Sequence, residues 1–126
     1  MGLKSLMIIK AAVCLVFGLL LLFVPGQLLG ILGSSFGPGA AITAREYGAA
    51  LIGVLMLTWF ARNAEDSVAR RAIIIDLVVY DAVAFIAMLI LQLSGAMNAL
   101  GWGVVIIYLF FTVAFGCYMF PKKQPA

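Results

Sequence analysis

Six side chains in this otherwise apolar chain are of a kind that could do chemistry: Lys10, Asp76, Tyr80, Asp81, Tyr108 and Thr112. An acid placed inside lipid costs several kcal/mol, roughly 2.5–3.5 on insertion scales, unless it is paired, neutralised or wetted, so each carboxyl here needs a partner. Asp76 and Asp81 lie about 140° apart around a helix, which rules out a paired-carboxylate site. Counted at ~1.5 Å per residue from the inner ends of their apolar runs, Lys10 and Asp76 both lie about 6 Å deep. Equal depth predicts a Lys10–Asp76 pair, with Tyr80, one turn above Asp76, adding a hydrogen bond on the same face. Asp81 falls near the midplane, about 15 Å from either surface, where no basic residue shares its depth. Its choices are protonation, a hydrogen bond to Thr112 or Tyr108, or a basic group from another subunit. Such a carboxyl serves either as a proton or cation relay or as a polar tie between helices.

Other chemistries are poorly supplied. The sequence contains no histidine, so it lacks the usual haem ligand, the commonest metal ligand and the side chain best suited to proton exchange near neutrality. Cys14 and Cys117 are far apart in sequence and read as small apolar residues rather than a disulfide. No CxxC, glycine-rich phosphate loop or nucleophile elbow occurs. An enzyme, a metal site and a bound cofactor are not expected.

The elements that must position these residues are four apolar runs, at 6–24, 41–60, 72–93 and 100–120, in a chain of 126 residues that is 66% hydrophobic with a mean hydropathy of +1.22. Each run has about the ~20 residues an α-helix needs to cross a bilayer. The expected fold is all-α, one transmembrane domain over residues 1–126, a bundle of four crossings. The first run is long for a signal peptide and no A-x-A site follows Pro25, so it is read as a retained span.

Lys4, Lys10, Arg62, Arg70, Arg71, Lys122 and Lys123 all fall on one side of such a bundle, and only Arg45 falls on the other. Basic residues mark the cytoplasmic side, so both termini are expected there. The net charge of +3 fits contact with anionic headgroups, at ~1 kcal/mol for each nearby base, and calls for no nucleic-acid partner. Tyr47 and Trp102 at one face, with Trp59, Tyr118 and Phe120 at the other, read as interfacial belts.

Pro25-Gly26 ends the first run, and residues 27–34 carry a helical pattern that predicts a short helix in the outer interface. Residues 34–39 read as the turn back into the membrane. In the second run, Ala44/Gly48 and Ala49/Gly53 are small-xxx-small pairs that predict close helix packing. Asn63 is an expected helix cap with Glu65 and Asp66 in the first turn after it, and Asp66–Arg70 an exposed i,i+4 pair. Asn98 is an expected cap for the fourth run, which forms an antiparallel hairpin with the third. Tyr108, Phe111, Thr112 and Phe115 make a stripe suited to helix packing, to lipid or to a ligand.

Residues 45–51 and 59–62, with Val24-Pro25-Gly26 and the loop that follows, resemble small uncharacterised bacterial membrane proteins of four spans. The resemblance implies a four-helix protein of the cytoplasmic membrane and carries no activity, cofactor or catalytic residue. The expected role is structural: an accessory subunit of a larger membrane assembly, or a homo-oligomer, in contact with membrane lipids. A proton or solute permease using Asp81 is the alternative.

Overall fold

The computed structural model describes residues 2–120, which form five α-helices and no strand: α1 (Leu3–Phe23), α2 (Pro25–Ile31), α3 (Pro38–Ala61), α4 (Val68–Leu93) and α5 (Gly101–Gly116). Three of these, α1, α3 and α4, are long and apolar enough to cross a membrane. The fourth run is helical only over the 16 residues Gly101–Gly116, continuing as turns to Met119. Lys122 and Lys123, part of the charge asymmetry, lie outside the described residues.

Local chemistry explains most boundaries. Pro25 sits at the first position of α2, where its missing amide hydrogen leaves nothing unsatisfied. The short helix predicted over 27–34 is thus real but starts earlier. It closes at Gly33, whose φ of +78° permits the chain reversal in which the Ser34 amide donates to Leu29. Gly95, at φ +84°, ends α4 in the same way, with the Ala96 amide donating to Leu91. The return turn is shorter than read, because Pro38 opens α3 rather than preceding it. A second correction concerns α4. Its cap is Ser67, whose hydroxyl accepts from the Arg70 amide at 3.1 Å, and not Asn63, so Glu65 and Asp66 precede the helix instead of occupying its first turn. Asp66 still reaches Arg70, at 3.5 Å.

α1 packs along α3, and α4 along α5, while α2 bridges the first pair. The α1–α3 contact is tightest where Gly48 meets Gly18: a Cβ on Gly48 would lie 3.0 Å from the Gly18 carbonyl oxygen and 3.0 Å from the Leu22 amide nitrogen. This is the close backbone approach that small residues permit when lipid is as apolar as the protein. Of the other predicted small residues, Ala44 is half-buried against Cys14, Leu21 and Leu51, whereas the second pair lies outside the contact. Ala49 and Gly53 are exposed, and a Cβ on Gly53 would meet nothing within 4 Å.

The two pairs meet in one apolar cluster at the end where α3 gives way to α4. Leu6 and Met7 of α1, Ala61 of α3, Ile74 and Leu77 of α4, and Phe111 and Phe115 of α5 are all buried there, with Phe111 stacked on Phe115 at 6.0 Å between ring centroids. At the opposite end the pairs are joined by polar contacts. The Asn98 amide donates to Leu32 at 2.7 Å and its side-chain nitrogen to Ile31 at 2.9 Å, while the Ser34 hydroxyl donates to the Ala96 carbonyl at 2.6 Å. Asn98 also accepts from the Leu100 amide at 3.0 Å, so it orders the turn before α5 as well as holding α2.

Candidate functional site

Lys10, Asp81 and three tyrosines from three helices form the polar centre of the bundle. On α1, Lys10 belongs to the inward stripe Met7, Lys10, Cys14, Gly18 and Leu21. On α4, Asp81 belongs to the stripe Ile74, Leu77 and Asp81, at i, i+3 and i+7. The two stripes face each other. Lys10 Nζ donates to Asp81 Oδ1 at 2.6 Å, with the side chains 3% and 0% exposed.

The predicted Lys10–Asp76 pair is therefore not formed. Depth along the axis was matched, but rotation decides, and Asp76 lies on the exposed face of α4. Nor does Asp81 bond Thr112 or Tyr108. Thr112 turns its hydroxyl back to the Tyr108 carbonyl at 2.7 Å, the habit of threonine within helices. Asp81 Oδ2 is buried without a hydrogen-bond partner among the described residues.

Tyr80 also departs from its expected place beside Asp76. Its hydroxyl bonds that of Tyr47, which in turn bonds that of Tyr108, joining α3, α4 and α5 in one phenol trio. Tyr47 is thus an interior residue, not part of an interfacial belt. Lys10 Nζ stands 5.0 Å from the Tyr80 ring centroid, 5.9 Å from that of Tyr108 and 4.4 Å from that of Phe111, so the ammonium is surrounded by ring faces that favour a cation. Tyr80 and Tyr108 meet edge to face at 6.1 Å.

No protein family, curated protein or solved structure matches the chain. The site must be read from its own chemistry.

A buried ion pair of this kind is a specific tie. Its desolvation offsets much of its Coulomb attraction, yet removing one partner strands the other charge and costs ~3–5 kcal/mol. The pair joins α1 to α4, two helices that otherwise belong to different packed pairs. From it toward the α2 end the bundle is hollow: a cavity of about 460 Å³ runs from Lys10 and the phenols up to Leu28 and Leu32 of α2, with Phe17, Ala84 and Val104 among its walls. From it toward the other end the bundle is filled by Leu6, Met7, Leu77, Phe111 and Phe115, each no more than 1% exposed. Among the described residues no three His, Cys, Asp or Glu side chains come together.

Sequence reasoning missed Tyr47 as a partner of Tyr80 and Asn98 as a link between pairs. A depth comparison would have found the Tyr47–Tyr108 contact, since Tyr47 lies as far from the start of α3 as Tyr108 does from that of α5, within about two residues' rise, or ~3 Å.

Proposed function

We propose that the chain is a non-enzymatic protein of the bacterial cytoplasmic membrane that crosses it four times, with both termini cytoplasmic, and serves as a structural or accessory subunit in a larger membrane assembly or homo-oligomer. The observation that carries this reading is Asp76. Helix α4 has 26 residues, or ~39 Å, against a hydrocarbon core of ~30 Å. Asp76 then lies about 7 Å inside a core centred on the helix. It is exposed there, with no hydrogen bond or ion pair among the described residues. An acid turned toward lipid at that depth is costly, and a basic or hydroxyl-bearing side chain of another subunit or a second copy relieves the cost.

Further support comes from α3, where Ala49 and Gly53 leave a small-residue face unused inside the chain and open to a neighbouring helix. The fourth crossing is assigned to α5, a shorter, predominantly apolar helix of 16 residues that packs along α4. The basic residues Lys4, Arg62, Arg70 and Arg71, gathered at one end of the bundle, support the orientation.

The permease alternative has less in its favour, since Asp81 is fully buried, is held by Lys10, and is separated from one end by the packed cluster. Native mass spectrometry from mild detergent, run on the wild type and on Asp76→Leu, tests the assembly role. A stoichiometric second subunit or second copy is expected with the wild type and is lost in the variant. A monomer in both samples contradicts it.

A further inference from the structure

The cavity between the helix pairs has a consistent chemistry. Its volume of about 460 Å³ lies within the ~300–1,000 Å³ of sites that hold small molecules. Its walls are aliphatic and aromatic, from Phe17 and Leu21 on α1 through Leu28 on α2 to Ala84 on α4 and Val104 on α5. Its polar floor is Lys10 with Tyr47, Tyr80 and Tyr108.

One hydroxyl donor at that floor lacks an acceptor, and Asp81, whose Oδ2 is unpartnered, does not line the cavity. Three phenols carry three hydroxyl protons. Two oxygen–oxygen contacts join them, Tyr47 with Tyr80 and Tyr47 with Tyr108, and each contact uses one proton. Whichever way the two bonds run, one hydroxyl proton is left over, and no other hydrogen bond of these hydroxyls occurs among the described residues. Lys10 gives one of its three N–H groups to Asp81 and turns the remainder toward ring faces. The floor therefore favours an acceptor.

Charge decides which acceptor. Lys10 and Asp81 already neutralise each other, and the phenols are uncharged. A carboxylate or phosphate would leave a net negative charge in an apolar cavity, which is strongly disfavoured. A carbonyl oxygen on an uncharged chain meets both requirements. From these observations we infer that the cavity is a binding site for an uncharged lipophilic carbonyl compound, its chain lying toward α2 and its oxygen accepting the spare proton of the phenol trio.

The test uses the full chain in detergent micelles with methyl nonyl ketone, isotopically labelled at the carbonyl carbon, as the probe. Undecane and laurate are the comparison ligands. Saturable ketone binding is expected, with the carbonyl stretch moved to lower frequency, and tighter binding than either comparison ligand. Replacing the three tyrosines together (Tyr47→Phe, Tyr80→Phe and Tyr108→Phe in one chain) removes every phenol donor. It is expected to weaken the ketone about fivefold, the worth of one net hydrogen bond, and to leave undecane unchanged. Ala84→Phe fills the cavity and keeps all three phenol hydroxyls, and is expected to abolish ketone binding in a chain that keeps its helical circular dichroism. Equal binding of ketone and undecane with an unshifted carbonyl overturns the inference. So does preferred binding of laurate, or ketone binding undiminished by Ala84→Phe.

Discussion

Where α3 gives way to α4, Leu6, Met7, Leu77, Phe111 and Phe115 close on one another until almost no surface remains; toward α2 the same helices part around a cavity of about 460 Å³. One end is held by dispersion packing of large side chains. The other is held by a few polar contacts, through Asn98, Ser34 and the phenol trio, with Lys10–Asp81 at the boundary between them. In lipid, burying apolar surface brings no hydrophobic gain, so helices stay together only where packing or hydrogen bonding is better than that offered by acyl chains. A hollow end must therefore be tied, and here each tie crosses between the two helix pairs.

Substitutions sharpen this contrast, beginning with the boundary itself. Asp81→Leu leaves the Lys10 ammonium buried without its partner and is expected to lower stability by about 3–5 kcal/mol. Asp76→Leu, exposed and unpaired within the chain, is expected to leave the stability of the isolated chain nearly unchanged. Denaturant titration in micelles, followed by circular dichroism, separates the two. Equal losses would contradict the pairing of Asp81 with Lys10 at that boundary.

At the packed end, Phe115→Ala opens a hole among side chains that cannot collapse fully and is expected to cost about 3 kcal/mol in the same assay. The hollow end offers no such leverage. Leu28→Ala, half-buried with the cavity on one side, is expected to cost less than Phe115→Ala, about 1 kcal/mol.

Between α1 and α3, Gly48→Val drives a side chain against Gly18, Leu21 and Leu22 and is expected to cost about 2 kcal/mol. Gly53→Ala, with nothing within 4 Å, is expected to be neutral or slightly stabilising. Asn98→Ala is expected to cost about 1 kcal/mol, through the side chain's hydrogen bonds to Ile31 and from Leu100. Its clearest readout is amide hydrogen exchange, which is expected to accelerate over residues 28–34 and not around Phe111.

Much of the frame was legible in the sequence. Proline, glycine and run length located the helices to within a few residues, and Pro25, Gly33 and Gly95 acted as their types dictate. Rotation was not legible. Isoleucine, valine and leucine cover the exposed face of α4 as fully as the buried one, so hydrophobic periodicity gave no direction, and Lys10 was matched with the exposed Asp76 by depth alone. Soluble helices announce their inner face through polar residues on the outer one, and a helix in lipid has no such contrast. The Ser67 cap was missed for a different reason. Asn63 with Glu65 and Asp66 carries the same capping signal, and only the packing of Ala61 into the apolar cluster shows that α3 and its turn already use that segment.

The central claim is that Lys10 and Asp81 are each other's partners at the boundary between the packed and hollow ends. A double-mutant cycle on unfolding free energy tests it directly, using Lys10→Met, Asp81→Leu and both together, with Lys10→Met and Asp76→Leu as the control cycle. A coupling of at least about 2 kcal/mol at Lys10/Asp81, with the double variant recovering most of the loss of either single one, and near zero at Lys10/Asp76, is the expected result. Additive losses at Lys10/Asp81, or the larger coupling at Lys10/Asp76, would contradict it.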